Sequence, residues 1–160
     1  SELGILYLND FNRKAMQKIF AENDLEFTEL FQCDVYVYLS NHHPLAGRDK
    51  ITFEELGDYP CLSFEQGDKN SFYFAEEVFS TLQYKQMIKA DDRATMLNLM
   101  VGMNGYTLCS GIICEELNGD GYSAIPLETD EKMTIGYIKR KGMHISHIGK
   151  SYIEILRGYA

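Results

Sequence analysis

The chain has 160 residues, 45% of them hydrophobic, which is enough to bury the core of one domain or of two small lobes. It carries 24 Asp and Glu residues against 15 Lys and Arg, for a formal net charge of −9. Phosphate backbones repel such a surface, so we do not expect this chain by itself to bind nucleic acid. No run of 18 apolar residues occurs, so no membrane-spanning helix is predicted.

The first part of the chain predicts a strand, a helix and a long β segment. Leu3–Leu8 is a buried strand that begins almost at the first residue, and we expect a further segment upstream of it. Asn9-Asp10 is the expected cap of a helix, and that helix has apolar residues at helical spacing: Phe11, Ala15, Met16, Ile19 and Phe20. The β segment from Leu25 to Leu39 is interrupted around Gln32-Cys33-Asp34, which suggests that the chain crosses there from one lobe to another.

The stretch from Asp34 to Gly67 organises the rest of the chain. Val35–Leu39 reads as a strand, and Pro44 ends the polar loop that follows it. Ile51–Leu56 contains a short helical turn, with Thr52 as N-cap and Glu55 as its capping-box partner. Cys61–Phe64 is a second strand, and it runs into a polar loop that starts at Glu65.

Strands and helices continue to alternate to the end of the chain. A helix is predicted over 75–82, a short strand or connector over 84–89, and a helix capped by Asp92 that ends at Gly102. The inward residues of the Asp92 helix are expected to be Met96, Leu97, Met100 and Val101. Strands over 106–109 and 133–139 and a short helix over 112–117 follow. Ser146 begins a closing helix whose buried side is predicted to be Ile148, Tyr152, Ile155 and Leu156. This alternation predicts an α/β fold with a largely parallel sheet.

Polar loops follow three of the predicted strands, and ligands of α/β sheets bind beyond the carboxyl ends of strands. Helix N-termini at such loops suit carboxylates and phosphates. The candidate ligand-binding residues are Cys33, Glu65, Gln66, Asn70, Ser71, Asp92, Arg93 and Ser110. Six of them have a simpler explanation: Asn70, Ser71 and Asp92 as helix caps, Arg93 as a solvated or paired cation, Ser110 as a loop serine, and Cys33 as a small buried hydrophobe.

The sequence predicts no metal site, no cofactor and no catalytic residue. His42 and His43 are adjacent, so they point apart on an extended chain, and Pro44 makes a turn the simpler explanation. The four cysteines lack paired metal-binding spacing and are expected to be reduced. No nucleophile has a base near it in a known motif, so we do not expect an enzyme.

One motif carries a resemblance to a known family. His43-Pro44-Leu45-Ala46, followed by Ile51, Leu56 and Pro60, resembles the start of the second lobe in the effector-binding domain of LysR-type transcriptional regulators. The order of the later elements follows the same family, although Met103 stands where the family commonly has glycine and Ser110 where proline is frequent.

The resemblance implies an α/β, two-lobed fold of the periplasmic-binding-protein type II kind, with lobe one incomplete. Residues 1–34 and 129–160 would form the partial lobe one, and residues 35–128 would form lobe two. Ser110 corresponds to a cleft-facing position of the family.

The same resemblance implies a cytoplasmic sensor that binds a small anionic or amino-acid-like effector in the interlobe cleft. The sensor would act as a homodimer or homotetramer, and DNA would be contacted only through a winged helix-turn-helix that this chain lacks. The alternative is an extracytoplasmic solute-binding protein of the same fold class. Four cysteines expected to be reduced argue against that alternative.

Overall fold

The computed structural model describes residues 1–65, 84–113 and 119–159. The chain divides into two compact units: unit 1 is Ser1–Cys33 with Glu131–Ala160, and unit 2 is Asp34–Asp130. The predicted helix over 75–82, most of the predicted helix over 112–117 and the candidate residues Gln66, Asn70 and Ser71 lie outside the described residues. In chain order the elements are β1 Gly4–Leu8, α1 Arg13–Glu22, β2 Leu25–Asp34, β3 Tyr36–Ser40, α2 Phe53–Leu56, β4 Cys61–Phe64, β5 Met87–Ala90, α3 Arg93–Gly102, β6 Tyr106–Cys109, β7 Tyr122–Pro126, β8 Lys132–Arg140 and α4 His147–Arg157.

Unit 1 is built on a three-stranded sheet in the order β1-β8-β2. β1 and β8 are antiparallel, from Gly4 opposite Ile138 to Leu8 opposite Thr134. Helix α1 buries Met16 and Phe20 against Leu8, and Phe27 of β2 packs at the edge of this cluster. An added Cβ at Gly136 in β8 would collide with the Phe27 ring, so glycine is needed there for the two strands to approach.

Helix α1 begins later than the sequence predicted. Asn9 and Asn12 hold a turn before the helix, because each backbone N–H donates to the other's side-chain Oδ1 at 2.9 Å. The regular helix starts at Arg13, with Asn12 in the N-cap position and without a side-chain cap bond of its own. The predicted capping role of Asn9 is confirmed in part, because Asn9 accepts the Asn12 N–H in the turn that leads into the helix. Phe11 lies in the turn and is 50% exposed instead of buried.

Unit 2 is built on a five-stranded sheet in the order β5-β4-β6-β3-β7. β4 is parallel to both β5 and β6, whereas β3 is antiparallel to both β6 and β7. Together with the antiparallel pair β1–β8, this makes the prediction of a largely parallel sheet wrong for the strand pairs described here. The prediction failed because alternating strands and helices predict parallel pairing only between strands that a crossover joins. β3 instead pairs with β6 and β7, which are distant in the chain.

Helix α3 covers one face of the unit 2 sheet. Its residues Met96 and Met100 are buried in a cluster with Tyr38, Leu62 and Ala90. Leu97 packs against this cluster, as predicted. Val101 is 50% exposed, so its predicted inward position is wrong, because the sheet covers only the stripe on which the two methionines lie.

Helix α4 is capped as the sequence predicted but is not buried as predicted. The Ser146 hydroxyl accepts a hydrogen bond from the Gly149 N–H at 3.1 Å. Ile148, Tyr152 and Ile155, predicted to face the core, are 81%, 47% and 64% exposed. The residues that α4 buries are Gly149 and Ile153, and Ile153 is 5% exposed. The apolar stripe therefore faces away from the packed side of the helix.

The loop after β3 is held by a buried histidine. The His43 Nδ1 accepts the Leu45 N–H at 3.0 Å, and its Nε2 lies 2.9 Å from the Asn104 carbonyl oxygen in the turn between α3 and β6. The first contact requires an unprotonated Nδ1, so the proton of the neutral ring resides on Nε2. Burial lowers the pKa of His43, which also packs against the Tyr59 ring. His43 is therefore a structural residue.

The predicted capping box of α2 is confirmed. The Glu55 N–H donates to Thr52 Oγ1 at 3.2 Å, and the Glu55 carboxylate accepts the Thr52 N–H at 2.9 Å. These bonds hold the pKa of Glu55 below its usual value.

None of the described helices is long and apolar enough to cross a membrane.

Candidate functional site

Three polar loops lie at one edge of the unit 2 sheet. β4, β5 and β6 are parallel, so their carboxyl ends lie at the same edge, and the chain leaves them at Glu65, Asp91 and Ser110. The antiparallel strands β3 and β7 bring Tyr36 and Pro126 to the same edge. The sequence predicted these loops as the ligand-binding region, and the topology places the described candidates of unit 2 together.

Helix α3 starts at this edge, and Asp92 is its N-cap. The Asp92 Oδ1 accepts the Thr95 N–H at 2.8 Å, and hydrogen bonds from Thr95 hold the pKa of Asp92 below its usual value. The carboxylate is therefore occupied as a cap, the simpler of the two roles expected for it. Arg93 follows in the first turn of the helix, is exposed, and provides a guanidinium at the positive end of the helix dipole.

Glu65 continues the β4–β5 pairing beyond the end of β4. Its N–H donates to the Ala90 carbonyl at 2.9 Å, and its carboxylate lies 3.4 Å from the Lys89 ammonium. Both side chains of this ion pair are about half exposed, at 43% and 55%. The pairing with Lys89 reduces the negative potential that Glu65 would otherwise present to an anionic ligand.

The loop after β6 is shaped by glycine and an aromatic ring. Gly111 has a φ of +76°, and a Cβ added there would lie 2.6 Å from the Tyr36 ring, so no other residue fits without displacement. The Cys109 Sγ accepts the Gly111 N–H at 3.4 Å, and the Ser110 Oγ accepts the Ile112 N–H at 3.3 Å. The Ser110 hydroxyl is half-buried and keeps its proton for donation to a ligand.

The sequence analysis did not single out two tyrosines of β3. Tyr36 lies against the Gly111 loop, and Tyr38 is buried in the core cluster beneath α3. Tyr38 is only 7% exposed, and its ring stacks on the Tyr122 ring with the two centroids 5.5 Å apart. Its hydroxyl is the buried side-chain polar atom without a hydrogen-bond partner in the described part of the chain, and burial raises its pKa. The alternation Tyr36-Val37-Tyr38 was the available signal, because it places both rings on one face.

Cys33 belongs to unit 1, where it lies beside a second polar cluster. Its thiol donates to the Met133 carbonyl at 3.8 Å. Next along β8, Thr134 is buried and its Oγ1 accepts a hydrogen bond from the Arg13 guanidinium at 3.1 Å. Asn9 and Asn12, bonded to each other, precede Arg13 in the chain. The sequence analysis missed Arg13 and Thr134, since their proximity depends on the pairing of β1 with β8.

The arrangement in unit 2 suits a small polar ligand more than a metal ion. It combines a cation at a helix N-terminus with a hydroxyl donor and aromatic walls. Within residues 1–65, 84–113 and 119–159, no three His, Cys, Asp or Glu side chains lie close enough to share a metal. Within the same residues, Cys33, Cys61 and Cys109 form no disulfide.

Comparison with known structures confirms the α/β fold of the periplasmic-binding-protein type II kind. The effector binding domain of QuiR in complex with shikimate aligns with a TM-score of 0.62 and 19% identity, over 99% of this chain and 71% of that one. The BenM effector binding domain with its effector benzoate aligns with a TM-score of 0.58 and 19% identity, over 91% of this chain and 75% of that one. The reduced form of OxyR aligns with a TM-score of 0.59 and 20% identity, over 98% of this chain and 70% of that one.

Sequence comparison gives the family. A relative, the malolactic fermentation system transcriptional activator of Lactococcus lactis subsp. lactis (strain IL1403), is 27% identical over 137 residues, which are 83% of this chain and 46% of that protein. The chain thus spans less than half of this relative's length. The family model described as the LysR substrate binding domain matches residues 10–160, nearly the whole sequence. The chain therefore belongs to the LysR substrate-binding domain family.

Proposed function

We propose that this chain is the effector-sensing domain of a cytoplasmic LysR-family transcription regulator. A small metabolite binds at the carboxyl edge of the unit 2 sheet and changes DNA binding through a winged helix-turn-helix outside these 160 residues. Unit 2 corresponds to lobe two of the family's domain and unit 1 to part of lobe one. The regulator works as a homodimer or homotetramer.

The observation that carries the proposal is the convergence of three polar loops around the start of α3. Arg93 and the α3 N-terminus attract negative charge, and Ser110 offers a hydroxyl donor at the same edge. The preferred effector is therefore a small carboxylate or an amino acid. The ligands named for QuiR and BenM, shikimate and benzoate, are both carboxylates.

The charge of unit 2 supports a DNA contact made elsewhere in the regulator. Unit 2 has six Lys and Arg residues and 16 Asp and Glu residues, for a net charge of −10. Such a surface repels the phosphate backbone. The effector acts only through its different affinity for two states of the regulator, and a tenfold difference corresponds to about 1.4 kcal/mol.

A ligand screen with matched variants tests the proposal. Small carboxylates and amino acids are screened by thermal shift, and each hit is titrated by calorimetry against wild type, Arg93→Gln and Ser110→Ala. Loss of a charge-assisted contact at Arg93 is expected to weaken a carboxylate by about tenfold or more, and loss of the Ser110 hydroxyl by a smaller factor. Arg140→Gln, an exposed arginine at the end of β8, is the control and should bind as wild type does.

Two results would contradict the proposal. One is that no compound stabilises the folded chain. The other is a ligand whose affinity is the same for wild type, Arg93→Gln and Ser110→Ala, since that ligand would bind away from this edge.

A further inference from the structure

The hydroxyl of Tyr38 is buried without a hydrogen-bond partner. Tyr38 is 7% exposed, and its hydroxyl oxygen is, in the described part of the chain, the buried side-chain polar atom that no donor or acceptor reaches. An unpaired group of this kind costs free energy in the folded state, and native proteins rarely retain one without a reason. The neighbouring Tyr122 differs, because its hydroxyl donates to the Leu97 carbonyl at 3.5 Å.

The register of the unit 2 sheet places Tyr38 close to the candidate ligand site. Tyr36 of β3 lies opposite Cys109, the last residue of β6, so Tyr38 is two residues farther from the carboxyl edge and on the same face of the sheet. Helix α3 covers that face, and the cluster to which Tyr38 belongs also contacts Ile113, beyond the end of β6. The Tyr38 ring therefore lies beneath α3 and close to the loop that carries Ser110.

Arg93 acts on the Tyr38 hydroxyl from the start of α3. Burial raises the pKa of Tyr38, Tyr122 adds to this rise, and the positive charge of Arg93 opposes it. The hydroxyl is therefore protonated at neutral pH and lies within the electrostatic field of the arginine. A small acid whose carboxylate pairs with Arg93 has the Tyr38 hydroxyl in its neighbourhood.

The surroundings of Tyr38 favour a neutral hydroxyl as the group that a ligand brings to it. An ammonium group would be repelled by Arg93 and would lose its hydration among the apolar side chains of the cluster. A second carboxylate would carry the same cost of burying a charge. A hydroxyl contains both a donor and an acceptor, as the tyrosine hydroxyl does, so it can pair with Tyr38 without bringing a charge into the core.

We propose that the Tyr38 hydroxyl is a specificity-determining group of the effector site and that the effector is a hydroxycarboxylic acid. The inference rests on the proposed function, because it takes Arg93 as the partner of the effector's carboxylate. The hydroxyl of the ligand completes the hydrogen bonding of Tyr38, so binding removes the cost of the unpaired group. An acid of the same shape without the hydroxyl leaves Tyr38 unpaired and binds more weakly.

Three series of acids test the proposal by titration calorimetry on the 160-residue chain. Propionate is compared with lactate and alanine, butyrate with 3-hydroxybutyrate and 3-aminobutyrate, and 3-phenylpropionate with phenyllactate and phenylalanine. Within a series the carbon skeleton is the same, and one hydrogen is replaced by a hydroxyl or an ammonium group. In a series that binds, the hydroxy acid should bind about tenfold or more tightly than the other two members.

Tyr38→Phe should abolish this preference. The variant should lower the affinity for the hydroxy acid by about tenfold and leave the affinity for the unsubstituted acid unchanged. Because it leaves no hydroxyl unpaired, it should melt without ligand at the wild-type temperature or above it. Tyr122→Phe removes a hydroxyl that already has a partner, so it should keep the wild-type preference. A hydroxyl needed only for folding would give a lower melting temperature for Tyr38→Phe and an unchanged preference.

The outcomes separate this inference from the proposed function. An acid that binds wild type and is weakened by Arg93→Gln, but without any preference for the hydroxy member, overturns the role of Tyr38 and leaves the effector site in place. A preference that survives in Tyr38→Phe also overturns this role, because another group would then recognise the hydroxyl. If none of these acids binds the folded chain, the result counts against both.

Discussion

At the scale of single residues, His43 shows how burial decides the role of a histidine. The side chain is 4% exposed, and its two nitrogens are used by Leu45 and Asn104. Protonation of Nδ1 would break the bond from the Leu45 N–H and would place a charge in the core. The loop after β3 therefore depends on the neutral ring.

This predicts that acid weakens unit 2. The pKa of His43 in the folded chain lies below the ordinary value of 6.5, so the unfolded chain binds a proton more readily. The stability that neutral His43 contributes is complete above pH 6.5 and is lost as the pH falls from 6.5 through the lowered folded pKa. We expect the free energy of unfolding, measured with urea, to decrease between about pH 8 and about pH 5.

Two variants separate His43 from other titrating groups. His43→Asn keeps an acceptor near Leu45 and does not titrate, so its unfolding free energy should change less over this pH range than that of wild type. His42→Asn removes the exposed neighbour and should retain the wild-type pH dependence. If His43→Asn had the same pH dependence as wild type, the assigned role of His43 would be wrong.

The residue-level predictions succeeded where the signal was local. Thr52, Asp92 and Ser146 act as caps because a side-chain oxygen reaches an N–H only a few residues away, and this depends little on the rest of the fold. The pairing of Arg13 with Thr134 joins residues 121 positions apart. No sequence spacing indicates such a contact, because it arises from the register of β1 with β8.

At the scale of elements, the start of α4 is fixed by one capping residue, Ser146. Ser146 accepts the Gly149 N–H and binds the Glu2 carboxylate through its own N–H and hydroxyl. The Ser146 bonds hold the pKa of Glu2 below its usual value. The start of the helix is thus joined to the N-terminal segment of the same unit.

We expect Ser146→Ala to destabilise unit 1 by about 1 kcal/mol, because the cap is lost and the Glu2 carboxylate loses its hydroxyl donor. Chemical denaturation followed by far-ultraviolet circular dichroism measures the change. Ser151→Ala, on the exposed surface of the same helix, is the control and should be neutral or slightly stabilising. Equal unfolding free energies for Ser146→Ala and wild type would contradict this role.

Helix positions were predictable from apolar spacing, but the covered face was not. The same periodicity that located α4 predicted that Ile148 and Ile155 face the core, and both are exposed. Periodicity shows that a helix has an apolar side, whereas the neighbouring elements decide which side is covered. Strand direction failed for a similar reason, since β3 finds its partners far along the chain.

At the scale of the whole molecule, the two units differ in how the chain builds them. Unit 2 is one continuous segment, Asp34–Asp130, and all five strands of its sheet come from that segment. Unit 1 is assembled from both ends of the chain. The candidate residues Glu65, Asp92, Arg93 and Ser110 all lie in unit 2.

We predict that residues 34–130 fold as an isolated fragment, since they contain their own sheet and helix-covered core. The fragment should show a cooperative thermal transition and dispersed amide resonances by nuclear magnetic resonance. A chain ending at residue 130 should give the same transition, because its first 33 residues lack β8 and contribute no folded structure. A fragment 34–130 without a cooperative transition would show that unit 2 needs unit 1.

The position of β8 has a consequence for the making of the protein in the cell. β8 is the central strand between β1 and β2, yet it is translated after the whole of unit 2. On the ribosome, β1 and β2 are therefore made before their shared partner strand and remain unpaired. Their exposed backbone N–H and C=O groups can then bind chaperones or other nascent chains. All of unit 2 is translated before β8. A ribosome that stalls just before β8 would release a product in which unit 2 is folded while β1 and β2 lack their shared partner, a form that proteases should clear quickly.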